Sequence, residues 1–135
     1  MPNAEPAVAI TDVAGSDLSN CTVLAEEVQG SLYEGKYSGW TQVFKCEGRP
    51  LVVLNDRALK HGKEHTLVSQ ERVNDHLVIR GVKRGVVLSR LQSSSTGNGL
   101  TTVLWRDGDK IVSLRVNDYS DGTYEWVRAV AQSIK

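Results

Sequence analysis

The chain is 135 residues long, with 16 Lys and Arg against 16 Asp and Glu and a formal net charge of zero. That length gives one domain with an apolar core of its own, and two cysteines, Cys21 and Cys46, are too few for a disulfide scaffold. No apolar run reaches the roughly 20 residues a membrane-crossing helix needs, so any membrane contact is peripheral.

The zero net charge conceals an asymmetry. Residues 1–35 contain Glu5, Asp12, Asp17, Glu26, Glu27 and Glu34 without a Lys or Arg, whereas residues 36–106 contain 12 basic residues against 5 acidic ones. Such a split either builds a basic face that attracts anions or simply solvates the surface.

Taken in chain order, residues 1–20 are expected to be a flexible tail, because Ala, Pro, Gly and Asp near the start follow no sustained period. The single domain is expected over residues 21–135. From Cys21 to Val28 the apolar positions suit a helix or a strand running on to Tyr33, and period alone leaves both open. Trp40 to Cys46 alternates as a strand, Glu47-Gly48-Arg49-Pro50 turns the chain, and Leu51-Val52-Val53-Leu54 reads as a buried strand closing a hairpin. Further strands are expected at His65–Val73, Leu77–Arg80 and Val86–Leu91. After the Ser93–Gly99 turn, Leu100–Trp105 and Lys110–Val116 pair across the tight-turn dipeptide Asp107-Gly108. Finally Trp126 lies in a short amphipathic helix whose Val127, Val130, Ala131 and Ile134 share a face, with Ser120 or Asp121 as its cap.

Short strands joined by hairpin turns predict a mainly β fold: an antiparallel meander forming a partly open barrel or two packed sheets, with the C-terminal helix covering the open corner. This order resembles the pleckstrin-homology superfold. Gly30-Ser31-Leu32-Tyr33, Trp40, the run Lys110–Val116 and Tyr124-Glu125-Trp126-Val127 carry the resemblance over about residues 23–135. The resemblance implies a phosphoinositide pocket of basic residues around the first loop. At the matching positions this chain has Glu34, Thr41, Gln42 and Val43, with Lys36 alone in the loop. A second register, with Tyr37–Val43 as first strand, puts Lys45 and Arg49 in the loop and yields one strand too many.

The densest basic groups are Arg80, Lys83 and Arg84, and then Arg57, Lys60, His61, Lys63 and His65. They suit phosphate or acidic protein, and equally they suit ordinary solvated turns. His61 and His65 have metal-pair spacing for a helix, which Gly62 and the extended pattern oppose, so no metal or other cofactor is expected. Cys46 reads as a packed thiol, unpaired with Cys21 in a cytoplasmic protein. Trp40, Trp105 and Trp126 read as core, Trp40 and Trp126 as structural anchors, with basic–aromatic interleaving too weak to favour nucleic acid. Tyr33 and Tyr37 flank the first loop as part of a rim.

The expectation is therefore a non-enzymatic module that binds another protein in an adaptor or signalling setting, with weak anionic-membrane contact. The candidate anion-binding residues are Lys36, Lys45, Arg49, Arg80, Lys83 and Arg84. The alternatives are a phosphoinositide-binding, membrane-targeting domain and a small barrel carrying an apolar ligand.

Overall fold

In the computed structural model, the described residues are 6–29, 35–58, 87–92, 99–108 and 110–134. They form strands β1 (Thr22–Gln29), β2 (Gly39–Lys45), β3 (Val52–Ala58), β4 (Val87–Gln92), β5 (Gly99–Asp107) and β6 (Lys110–Val116), followed by helix α1 (Asp121–Ser133). The strands make one antiparallel sheet in the order β1-β2-β3-β6-β5-β4. The fold is thus mainly β, open, and capped by the C-terminal helix, as expected. It departs from a simple meander at its centre, where β3 pairs with β6. The strands expected at His65–Val73 and Leu77–Arg80 lie outside the described residues.

Register explains where the core sits, because residues directly opposite one another on antiparallel strands share a face. Three rows run across β2, β3, β6 and β5: Phe44-Val52-Val116-Thr101, Gln42-Leu54-Leu114-Val103 and Trp40-Asp56-Val112-Trp105. Phe44, Leu54, Val103, Trp105 and Val112 on this face are completely buried. Each such side chain contributes about 1.5–3 kcal/mol relative to exposure.

Helix α1 covers this face over β5 and β6 with Val127, Val130 and Ala131, and Ile134 just beyond its last turn joins them. Ser120 caps it, its hydroxyl accepting from the Thr123 amide at 3.3 Å. Trp126 is only half-buried against the core. The tryptophan at the centre is Trp105, 0% exposed. The expected anchor therefore sits at the rim of the helix, one position off its buried stripe.

The flexible tail expected over residues 1–20 is corrected from residue 6 onward. Asp17–Asn20 form a 3-10 helix whose Leu18 is 1% exposed within the core, and the Asp17 amide donates to Ser133 Oγ of α1 at 3.0 Å. Upstream, the Ala7 amide donates to the Tyr37 carbonyl at 2.7 Å beside a parallel bridge of Pro6 with Tyr37. This segment has no period of its own because its order comes from side chains bonded to distant strands, a signal that local patterning does not carry.

Candidate functional site

β1 is where the sheet has surface to spare. It pairs with β2 on one side, and among the described strands none pairs with its other side. Helix α1 lies over β5 and β6, at the opposite half of the sheet, so its cover does not extend to β1. Val23 at 51%, Leu24 at 54% and Val28 at 37% are accordingly exposed, with Leu51 at 46% at the entry to β3. The register shifts between Val23 and Ala25, leaving Leu24 as a bulge. Val23, Glu26 and Val28 stand opposite Phe44, Gln42 and Trp40 on the helix side, and Glu27 stands opposite Thr41 on the other. This bulge also explains why the sequence left helix and strand open here: it breaks the period-two alternation.

Both ends of β1 are pinned. Cys21 and Cys46 form a disulfide with Cα atoms 4.5 Å apart, which corrects the expectation of free thiols. Thr22 pairs with Lys45, so Cys21 and Cys46 are the next positions of the same ladder, and only the register reveals it. At the far end, Ser38 Oγ donates to the Gln29 carbonyl at 2.9 Å. Thr41 Oγ1 donates to Gln29 Oε1 and accepts from Asn55 Nδ2 at 3.1 Å. The edge strand is preorganised although its side chains are wet.

A second polar constellation is wholly internal. Asp56 is 0% exposed, and its carboxylate accepts from the Thr11 amide at 3.1 Å and from Thr11 Oγ1, and meets Lys110 Nζ at 2.9 Å. The same ammonium donates to the Ala9 carbonyl at 2.7 Å and to Thr11 Oγ1 at 3.3 Å, while Trp40 Nε1 donates to the Val8 carbonyl at 3.2 Å. Both carboxylate oxygens and the lysine are occupied by protein groups, so this arrangement straps residues 8–11 across β2, β3 and β6. The sequence carries one sign of it: Asp56 continues the inward series Val52, Leu54.

Of the predicted anion-binding residues, Lys36, Lys45 and Arg49 are among the described residues, and Lys36 lies apart from the other two. Lys36 is exposed at one end of β2 and Lys45 at the other. Lys45 and Arg49 do come together: Lys45 Nζ donates to the Arg49 carbonyl at 2.5 Å, and the Arg49 guanidinium stacks 4.9 Å from the Trp126 ring centroid. Trp40 is half-buried, held by Val8. Arg80, Lys83 and Arg84 lie outside the described residues, as do Lys60, His61, Lys63 and His65, Tyr33 and Glu34, while Arg57 is exposed and Tyr37 half-buried.

Among the described residues no group of three His, Cys, Asp or Glu is placed to hold a metal ion. A shallow crevice between α1 and the sheet, lined by Val52, Leu114, Val116, Trp126, Val127 and Val130, has no enclosed room for even a water-sized group, far short of the ~300 Å³ at which ligand pockets begin. No described helix is long and apolar enough to cross a membrane. No protein-family model, curated protein or solved structure matches the chain.

Proposed function

We propose that this protein is a non-catalytic binding module whose partner is another protein, contacted through β1 and the adjoining corner formed by Lys45 to Leu51. The observation that carries the reading is the exposure of Val23, Leu24 and Val28 on a sheet edge. Sheet edges are ordinarily blunted by short length, lysine, proline or strong twist. β1 is eight residues long and has neither lysine nor proline; a bulge and the carboxylates of Glu26 and Glu27 are the guards it carries. An apolar edge kept so orderly by a disulfide and a side-chain ladder suits a surface meant to be covered. The pleckstrin-homology likeness enters only as a superfold with several partner types, and supplies no site residue. Anionic-membrane contact is a secondary reading, resting on the exposed Lys36 and Lys45.

The Cys21–Cys46 bridge also supports an oxidising compartment in place of the cytoplasm expected from sequence, because such bonds persist where thiols are not kept reduced. Site-specific photo-cross-linking in the native source tests the binding reading. A photoreactive residue at Leu24 is expected to give a discrete protein adduct, and the same residue at exposed Glu125 on α1 is not. Equal labelling at both positions, or none at Leu24, would remove β1 as the contact surface.

A further inference from the structure

The chemistry of the β1 edge identifies the kind of partner it takes. We infer that the partner is an extended protein segment that adds to β1 as a further strand, with two adjacent basic residues set against Glu26 and Glu27 and apolar residues to either side; this rests on the reading of β1 as the contact surface. Adjacent residues of a strand point to opposite faces. Glu26 faces the helix side and Glu27 the other, so the edge carries one carboxylate above the sheet plane and one below it. A strand pairing there needs a cation on each face, which two consecutive Lys or Arg residues provide. Val23 on one flank and Val28 on the other then face apolar partners on the helix side.

The surroundings add to the same sign. Asp12, Asp17, Glu26 and Glu27 are all exposed, and residues 1–35 contain no Lys or Arg. At the cysteine end, the Lys45 ammonium is bonded to the Arg49 carbonyl. Charge disfavours a second copy of this chain as the occupant. Antiparallel self-pairing centred on β1 sets Ala25 opposite Glu26 and Leu24 opposite Glu27, so four carboxylates gather around the two-fold axis with apolar side chains facing them. Like charges across neighbouring positions weaken a ladder, and opposite charges strengthen it.

The test uses the full, disulfide-bonded chain and two capped, fluorescently labelled octapeptides, Val-Thr-Val-Lys-Lys-Val-Thr-Val and its Glu-Glu counterpart, read by anisotropy. The Lys-Lys peptide is expected to bind about tenfold more tightly than the Glu-Glu peptide. Glu26→Lys with Glu27→Lys is expected to reverse that order; because Glu26 Oε1 accepts from the buried Gln42 Nε2 at 3.2 Å, Glu27→Lys alone is the arm expected to weaken the preference while circular dichroism and the melting temperature stay unchanged. Equal affinities, or a preference that the charge reversal leaves in place, would overturn the inference. Sedimentation equilibrium adds a third arm: a dimer that Val23→Ser with Leu24→Ser abolishes would show a second copy on the edge and likewise overturn it. Adducts at Leu24 together with no charge preference would sink the basic-strand partner alone, whereas absent adducts would sink the contact surface itself.

Discussion

Asp56 and Lys110 meet at 2.9 Å on the buried face where β3 and β6 pair, and Thr11 from the N-terminal segment closes over both. The pair thus ties the two halves of the sheet, β1-β2-β3 and β4-β5-β6, to a strap that passes over their junction. A buried ion pair is itself weak evidence of net stabilisation, but losing one partner leaves a charge with no counter-ion in a dry place. Asp56→Ala or Lys110→Met is therefore expected to cost about 3–5 kcal/mol. The double variant Asp56→Leu with Lys110→Met should cost less than the two singles added together. Urea denaturation of all three checks this, and additive losses would show that the charges do not interact.

Gly39 lies against the same carboxylate-bearing residue from the next strand. A Cβ there would overlap the Asp56 carbonyl oxygen and crowd the Arg57 Cα, both backbone atoms that cannot swing aside. Overpacking ordinarily costs about 1–3 kcal/mol, and a backbone clash belongs at or beyond the upper end. Gly39→Ala should lower the denaturation midpoint accordingly. Gly122→Ala in α1, where nothing lies within 4 Å, should instead be neutral or raise stability by about 0.5–1 kcal/mol. Equal effects at the two positions would contradict the close approach of β2 to β3.

Which features were legible follows from how far each one's cause lies along the chain. β2, β3, β5, β6 and α1 were readable because their alternation, turn glycines and cap are local: Gly48 at φ +71° and Gly108 at φ +62° occupy the expected turns. The Cys21–Cys46 bridge was not, because it depends on a β1–β2 register that a bulge at Leu24 shifts by one residue. The strap was hidden for a similar reason: Thr11 is ordered by Asp56, 45 residues away, and Ala9 by Lys110, 101 residues away. The candidate edge has no local signature, because exposure on β1 depends on where α1 settles, not on the residues of β1.

The disulfide yields its own expectation. Closing a loop with a sequence separation of 25 removes denatured-state entropy worth roughly 3–4 kcal/mol in the chain-entropy view. Reduction, or Cys21→Ser with Cys46→Ser, should lower the free energy of unfolding by about that much and fray the start of β1. Alkylation without reductant should modify neither cysteine in the native protein. Two alkylated thiols in freshly isolated material would refute the bridge.

Acid should loosen the start of α1. The Asp118 carboxylate accepts from Thr123 Oγ1 and from Ser120 Oγ at 2.7 Å, and these bonds, Thr123 first, hold its pKa below the ordinary 3.8. Since the folded value is the lower one, the stabilisation is present in full above the unfolded value and is lost as pH falls through the folded one. Stability measured between pH 5 and pH 2 should fall more steeply in the parent than in Asp118→Asn. Parallel curves for the two would show that Asp118 does not contribute.

Trp126 and Arg49 form the last testable pair. Because Trp126 is half-buried at the helix rim, Trp126→Ala should cost less than the about 3–5 kcal/mol typical of a fully buried tryptophan, whereas truncating the enclosed Trp105 should reach that range. Part of the Trp126 loss belongs to the Arg49 guanidinium stacked 4.9 Å from the ring centroid. Exposed cation–π contacts contribute about 0.5–1 kcal/mol, and the Arg49 carbonyl that receives Lys45 keeps the turn in place for the stack. A double-mutant cycle of Arg49→Ala and Trp126→Ala should therefore return a coupling energy of that size. It should persist at 1 M salt if stacking dominates, since simple surface charge pairs are screened within about 3 Å there. A coupling near zero would mean that the two side chains are merely adjacent, and Arg49 would then be a solvated turn residue available to an outside partner.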